Sequence, residues 1–174
     1  MSKNVIQMNL GQSDIVKDDG LLGALREFMD RDFADPGDVA PLSGAVVRAR
    51  YVLNDSGGTL ARGSGVVYKS GYTLKRIGGN HSANGVCDGI VDPYLSAAVA
   101  DGAYFWIIEQ GPVLALAGSG GLAANNLLQT AASGTFVAGT LGTNSVGHCG
   151  RAQAAITATE LGRVVFKAPF SCGI

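Results

Sequence analysis

The sequence has little charge. Of its 174 residues, 16% are Asp, Glu, Lys or Arg, and 13 basic residues against 14 acidic ones give a net charge of -1. A protein that binds nucleic acid through its phosphates needs a basic face. The near-neutral balance therefore argues against a nucleic-acid partner.

Long apolar runs are also missing. No stretch reaches the roughly 18 apolar residues of a membrane-spanning helix, and residues 1–14, MSKNVIQMNLGQSD, lack the apolar core of a secretory signal. We therefore expect no membrane attachment. The cysteines are Cys87, Cys149 and Cys172, an odd number, which without a secretory signal predicts reduced thiols acting as small buried hydrophobes.

Catalytic motifs are absent too: the sequence has no Walker loop, H-E-x-x-H, G-x-S-x-G or EF-hand loop. Residues 118–123, GSGGLA, have the G-x-G-x-x-A form, but no acidic residue follows about twenty positions later to hold a ribose. A glycine-rich turn is the better interpretation. His81 or His148 could pair with a cysteine, yet neither has the spacing of a known site. The sequence predicts no enzyme, cofactor or metal.

What is present at the N-terminus resembles an arm followed by a helix. Residues 5–10 alternate in polarity, as an extended arm or edge strand would. After a possible N-cap at Asp18 and Asp19, apolar residues recur at three- and four-residue spacings, which predicts one amphipathic helix over residues 19–33. Its apolar positions are Leu21, Leu22, Leu25, Phe28, Met29 and Phe33.

From residue 44 onwards turn signals recur every eight to twelve residues, the pattern of an all-β barrel or sandwich. We therefore predict a mainly β protein, with an N-terminal arm and helix over residues 1–43 and a small β-barrel or sandwich over residues 44–174. The predicted strands are residues 45–53, 65–68, 73–77, 85–91, 104–108, 113–117, 135–138, 152–158 and 164–168.

The strongest strand signal contains the only Trp. Tyr104, Phe105 and Trp106 begin an aromatic and β-branched run, and we expect these three at the barrel core or a trimer centre. Gly111-Pro112 predicts a break before a second strand. Residues 110–150 contain no Asp, Glu, Lys or Arg, which favours burial, either in the monomer core or between subunits.

Residues 85–113, GVCDGIVDPYLSAAVADGAYFWIIEQGPV, resemble a core segment of the decoration, or cement, proteins of tailed bacteriophage heads. That family has a "GV-A … G-x-Y-G-W-V-Q-x-x-G-P" hairpin. Tyr104 and Trp106 match its aromatic pair and Gly111-Pro112 its closing turn, whereas Phe105 replaces the usual Gly. The closing segment, residues 151–170, is also similar to the way such chains end.

The resemblance implies a non-enzymatic virion protein, made in the host cytoplasm, that binds the outer surface of the capsid and stabilises contacts between major capsid protein subunits, commonly as a homotrimer. We expect the arm and one helix face to contact the shell or a neighbouring subunit. Two alternatives remain: a tail, spike or fibre subunit, and a small Cys-His enzyme. The expected contact residues are Val5, Ile6, Met8, Leu10, Leu21, Leu25 and Phe28.

Overall fold

The computed structural model describes residues 21–31, 41–80, 87–139 and 148–168. Within them the protein is mainly β, as predicted, and its regular helix is limited to short 3₁₀ turns, one of them at Ala132–Gly134. No helix in these ranges is long and apolar enough to cross a membrane. The strands are β1 (Leu25–Arg31), β2 (Pro41–Asn54), β3 (Gly65–Tyr68), β4 (Arg76–Asn80), β5 (Gly89–Val91), β6 (Tyr104–Leu116), β7 (Leu128–Thr130), β8 (Phe136–Ala138), β9 (Gly150–Ala152) and β10 (Leu161–Lys167).

Eight strands form one sheet in the order β1-β2-β4-β3-β5-β6-β10-β9, and β7 pairs with β8 in a second, two-stranded sheet. The pairings are antiparallel except for β2 with β4. β6 also pairs with β2, so the large sheet folds back on itself. Because β1 and β9 remain as its two ends, the sheet is not closed into a barrel. Of the two predicted architectures, the sandwich is the compatible one.

The first five residues of β6 are buried on both faces of the strand, which explains why they form an unbroken apolar run. Tyr104, Trp106 and Ile108 belong to a larger core cluster, while Phe105 and Ile107 belong to a second cluster on the opposite face. The exposed fractions of Tyr104, Phe105 and Trp106 are 7%, 0% and 1%. All three lie in the core of the single chain.

The predicted break at Gly111-Pro112 is wrong, because β6 continues through both residues. Pro112 lies opposite Val165 of β10. Ala168 N donates to Glu109 O, so these two residues form a hydrogen-bonded pair of the antiparallel ladder. Hydrogen-bonded and non-hydrogen-bonded pairs alternate along the ladder, which makes Pro112 and Val165 a non-hydrogen-bonded pair. Pro112 therefore needs no N–H that points toward β10. Gly111 has a φ of +114°, and a Cβ there would lie 2.6 Å from the Val46 oxygen. Glycine therefore permits close strand packing here instead of a turn.

The predicted amphipathic helix over residues 19–33 is also wrong: its described part contains β1. Residues 46–50 of β2 pair with residues 25–29, and this tertiary pairing overrides the helix propensity of Leu, Arg, Glu and Met. As a consequence, residues on one face of this segment repeat at every second position instead of every third or fourth. Leu25 and Phe28 would share a helix face but point to opposite faces of a strand.

The remaining differences between the predicted and the observed strands concern the ends of strands and one additional strand. β3 coincides with the predicted strand, whereas β4 begins at Arg76 and the segment from Ala152 to residue 158 is mostly irregular. β7 was not predicted. The boundary predicted between residues 43 and 44 falls inside β2.

Candidate interaction surface

The outer face of the β1–β2 pair carries a row of exposed apolar side chains. Leu25, Glu27 and Met29 alternate along β1, and their register partners on β2 are Arg50, Arg48 and Val46. Directly opposed residues of an antiparallel pair project from the same face. We define the β1–β2 surface as Leu25, Glu27, Met29, Val46 and Arg48.

The apolar members of this surface are accessible to solvent. Leu25, Met29 and Val46 are 36%, 45% and 49% exposed. Between them Arg48 Nε lies 3.6 Å from Glu27 Oε1, a loose ion pair between partly exposed side chains. The arrangement is an apolar strip with a charged pair across its middle, which suits contact with another protein.

The underside of β1 is fixed to the core. The Phe28 ring meets the edge of the Trp106 ring, with centroids 5.5 Å apart and planes at 81°. Asp30, which is 1% exposed, accepts hydrogen bonds from Arg163 of β10 and from the Ser43 hydroxyl. One aromatic contact and one buried carboxylate thus hold the strand from below, so the outer face is carried on a fixed support.

A second polar network lies on the same face as Leu25, because Arg50 is the register partner of Leu25 on β2. Arg50 Nε donates to Glu109 Oε1 at 2.6 Å, and Arg50 Nη2 donates to Glu109 Oε2 at 3.1 Å. The Tyr68 hydroxyl donates to the same Oε1 at 2.7 Å, and Arg50 Nη1 donates to Gly23 O at 2.8 Å. Burial, together with the adjacent Glu109 carboxylate, raises the pKa of Tyr68. The network joins the segment before β1 to three strands of the large sheet.

The predicted contact residues separate in the structure. Leu21 and Phe28 are half-buried and pack against the larger core cluster, whereas Leu25 projects from the β1–β2 surface. The remaining four, Val5, Ile6, Met8 and Leu10, lie outside the described residues. The contacts expected of these four residues therefore stay a prediction.

Sequence reasoning missed Val46 and assigned Met29 to a helix. The available signal was the alternation within β2, where Val46, Arg48 and Arg50 interleave with residues 47, 49 and 51, which are buried. Such a period of two marks one covered and one exposed face of a strand. It identifies the outward row without the structure.

Of the residues considered for chemistry, the structure describes His148, Cys87 and Cys149, and both of these cysteines are buried. His81 and Cys172 lie outside the described residues. Residues 118–121 form a turn in which Gly121 N donates to Gly118 O at 3.0 Å. Among the described residues no group of three or more His, Cys, Asp or Glu side chains is placed to hold a metal ion.

The charge-free segment contributes both core and surface. Val113, Ala115, Leu128 and Phe136 are fully or almost fully buried in the larger cluster. Residues 123–125, Ala-Ala-Asn, are exposed. Burial within the chain thus explains much of the missing charge, and burial of part of this segment between subunits stays a prediction.

These features define the class: a mainly β fold built on one folded sheet with a long central strand. The sequence matches no protein-family model, and no curated protein matches it. Among solved structures the fold is similar to that of the head fiber gp8.5 N base of bacteriophage phi29, with a TM-score of 0.52. The similarity covers 68% of this chain and 92% of that one at 16% identity, so it is a likeness of fold.

Proposed function

We propose that this chain is a non-enzymatic structural protein of a tailed-phage virion, and that it attaches to the outer surface of the head by contacting major capsid subunits. The observation that carries the proposal is the shared fold with a phage head fiber base over 68% of the chain. The motif at Tyr104, Trp106 and Gly111-Pro112, which resembles head decoration proteins, supports the same location.

The β1–β2 surface is the proposed contact with the capsid. Its three exposed apolar side chains lie on strands that are anchored by Phe28–Trp106 and Asp30–Arg163. A surface that is fixed before binding loses little conformational entropy when it docks. The near-neutral net charge of the chain also fits binding by apolar contact more than by electrostatic attraction.

Two roles at the head are distinguished by what attachment does. A decoration protein clamps neighbouring capsid subunits and raises the stability of the shell, commonly as a homotrimer. In the second role the chain attaches to the head as the base of a fibre. The fold neighbour is a head fiber base, which is the specific observation in favour of the second role.

The test uses heads of the phage that encodes this chain, prepared without the protein. Purified protein is added back, and co-sedimentation with particle imaging measures attachment and stoichiometry. We expect saturable binding. Heating of decorated and bare heads then separates the roles, because the clamping role requires the temperature at which heads open to rise, whereas the fibre-base role does not require it. Absence of binding would contradict the proposal.

A matched pair of variants tests the surface. Val46→Ser alters the β1–β2 surface, whereas Val165→Ser removes a similarly exposed valine, 45% against 49%, from strand β10. Burial of the exposed half of such a side chain stabilises a contact by about 0.7–1.5 kcal/mol, so Val46→Ser should weaken head binding roughly three- to tenfold. Val165→Ser should bind as the wild type does. Equal binding by both variants would show that the contact with the head lies outside the β1–β2 surface. It would not contradict attachment to the head.

A further inference from the structure

The hairpin that joins β3 to β4 carries two further exposed large apolar side chains. We call residues 69–75, which connect the two strands, the hairpin tip. Within it Tyr72 and Leu74 are 47% and 41% exposed. Leu74 also has a φ of +68°, a backbone conformation that a bulky side chain rarely adopts. The tip thus combines exposed apolar side chains with a strained backbone.

Burial within the chain offsets only part of the cost of this conformation, because much of Leu74 stays in solvent. A strained residue persists where the surrounding structure holds it, and such residues cluster at functional sites. Backbone hydrogen bonds close the tip: Lys69 N donates to Arg76 O at 2.9 Å, Tyr72 N to Lys69 O at 2.9 Å, and Lys75 N to Tyr72 O at 3.1 Å. The backbone that presents Leu74 is therefore fixed.

The Tyr72 ring is held by a charged network. The Arg76 guanidinium lies 4.7 Å from the centroid of the ring, a cation–π contact. One Asp55 oxygen lies 3.1 Å from Arg76 Nη1, and the other lies 2.8 Å from Lys69 Nζ. These partly exposed ion pairs add little stability to the fold. They do orient the ring in advance, and a side chain that is ordered in advance loses less entropy when a partner binds.

The hairpin tip lies beside the β1–β2 surface. A Cβ on Gly23 would be 3.1 Å from Leu74 O, so the chain that leads into β1 passes directly along the tip. Leu53 N of β2 donates to Lys75 O at 3.0 Å, which ties the tip to β2 as well. Gly23 precedes Leu25 by two residues. The exposed tip and the exposed Leu25 are therefore at the same end of β1.

The tip is also basic. Residues 69–76 contain Lys69, Lys75 and Arg76 and no acidic residue, and Asp55 is the carboxylate that Lys69 and Arg76 share. Lys75 is exposed. Charges at the rim of a contact steer association and discriminate against partners of like charge. The complementary surface is an apolar depression bordered by carboxylates.

We propose that the hairpin tip inserts Tyr72 and Leu74 into an apolar depression with an acidic border on a major capsid subunit, next to the contact made by the β1–β2 surface. This inference rests on the proposed attachment to the head and specifies the chemistry of the partner. The strained, preformed tip supplies the apolar contact, and Lys75 faces the acidic border.

The apolar contact is tested with full-chain variants added to heads prepared without the protein, with co-sedimentation as the measurement. Leu74→Ala removes the side chain and keeps the strain, whereas Leu74→Gly removes both. Each should bind roughly three- to tenfold more weakly than the wild type, because the exposed part of a leucine is lost from the contact. Leu74→Gly should nevertheless melt a few degrees above Leu74→Ala, since glycine adopts a positive φ without strain. Val165→Ser, at a 45% exposed valine of β10, should bind as the wild type does.

The charge is tested by Lys75→Glu, with Lys167→Glu at an exposed position of β10 as the matched control. Lys75→Glu should weaken head binding at low ionic strength, and the difference from the wild type should shrink as salt is added. The reason is screening, which acts beyond about 10 Å at 0.1 M salt and beyond about 3 Å at 1 M. Lys167→Glu should match the wild type at each salt concentration.

The possible failures are distinguishable. If the wild type does not bind heads, the proposed attachment is wrong and this inference falls with it. If the wild type binds and both Leu74 variants bind equally well, the tip contact alone is overturned. Binding of Lys75→Glu as tight as that of the wild type at low salt would overturn the acidic border.

Discussion

The contact between Phe28 and Trp106 decides whether residues 25–31 act as a strand. Trp106 is the only Trp of the sequence and is 1% exposed, with Phe28 at 5.5 Å and Tyr51 at 5.2 Å between ring centroids. Trp106→Ala deletes a fully buried ring and should lower the free energy of unfolding by about 3–5 kcal/mol. Phe28→Ala, at a half-buried ring, should cost about 1–3 kcal/mol.

The pair also has a coupling energy that a double-mutant cycle measures. An edge-to-face aromatic pair contributes about 0.5–1.5 kcal/mol beyond its buried area. The double variant Phe28→Ala/Trp106→Ala should therefore be more stable than the sum of the single losses predicts, by that amount. Urea unfolding followed by circular dichroism gives all four free energies, since it does not depend on the indole.

Leu25→Ala is the control that separates strand from helix. In the structure Leu25 is 36% exposed and projects from the opposite face to Phe28, so its substitution should cost about 1 kcal/mol or less and show no coupling to Trp106. On a helix the two residues would share one face. A Leu25→Ala loss equal to that of Phe28→Ala, or a strictly additive double variant, would refute the strand assignment.

Two further predictions concern the core. Burial and the adjacent Glu109 raise the pKa of Tyr68, so above about pH 10 only the unfolded state loses this proton. The free energy of unfolding should therefore fall with pH, by about 1.4 kcal/mol per pH unit more than in Tyr68→Phe. Equal pH slopes of the two proteins in urea unfolding would contradict the network. Gly111→Ala should cost roughly 2–4 kcal/mol because its φ is positive and the Val46 oxygen blocks a Cβ. Gly120→Ala, with open space around it, should be near neutral, and similar thermal shifts for the two would disprove this reason.

The β class could be predicted from the sequence because its signals are local. Turn residues and alternating apolar runs act within a few residues, and they located β3 at Gly65–Tyr68 and the start of β6 at Tyr104. The nature of residues 25–31 is not local. That segment carries helix-forming residues at helical spacing, and it is a strand because β2 offers it a pairing edge.

The candidate surface and the buried cysteines show the same limit. The predicted helix puts Leu21, Leu25 and Phe28 on one face, whereas the strand period assigns Leu25 to the outside and Phe28 to the core. Cys87 and Cys149 belong to one core cluster because separate strands pack together, which their spacing in the sequence does not reveal. Their burial as small apolar side chains, by contrast, follows from residue type alone and is found.

The buried network of Arg50, Glu109 and Tyr68 has a consequence for the proposed contact surface. An ion pair with side chains 15% and 8% exposed adds little net stability, because desolvation offsets most of the attraction. The ion pair does oppose a shift in the register of β2. Moving β2 by one residue would turn Arg50 away from Glu109, and it would expose the face of β2 that now lies in the core. The same register places Met29 opposite Val46. Polar groups inside the fold thereby determine which apolar side chains are presented outside it.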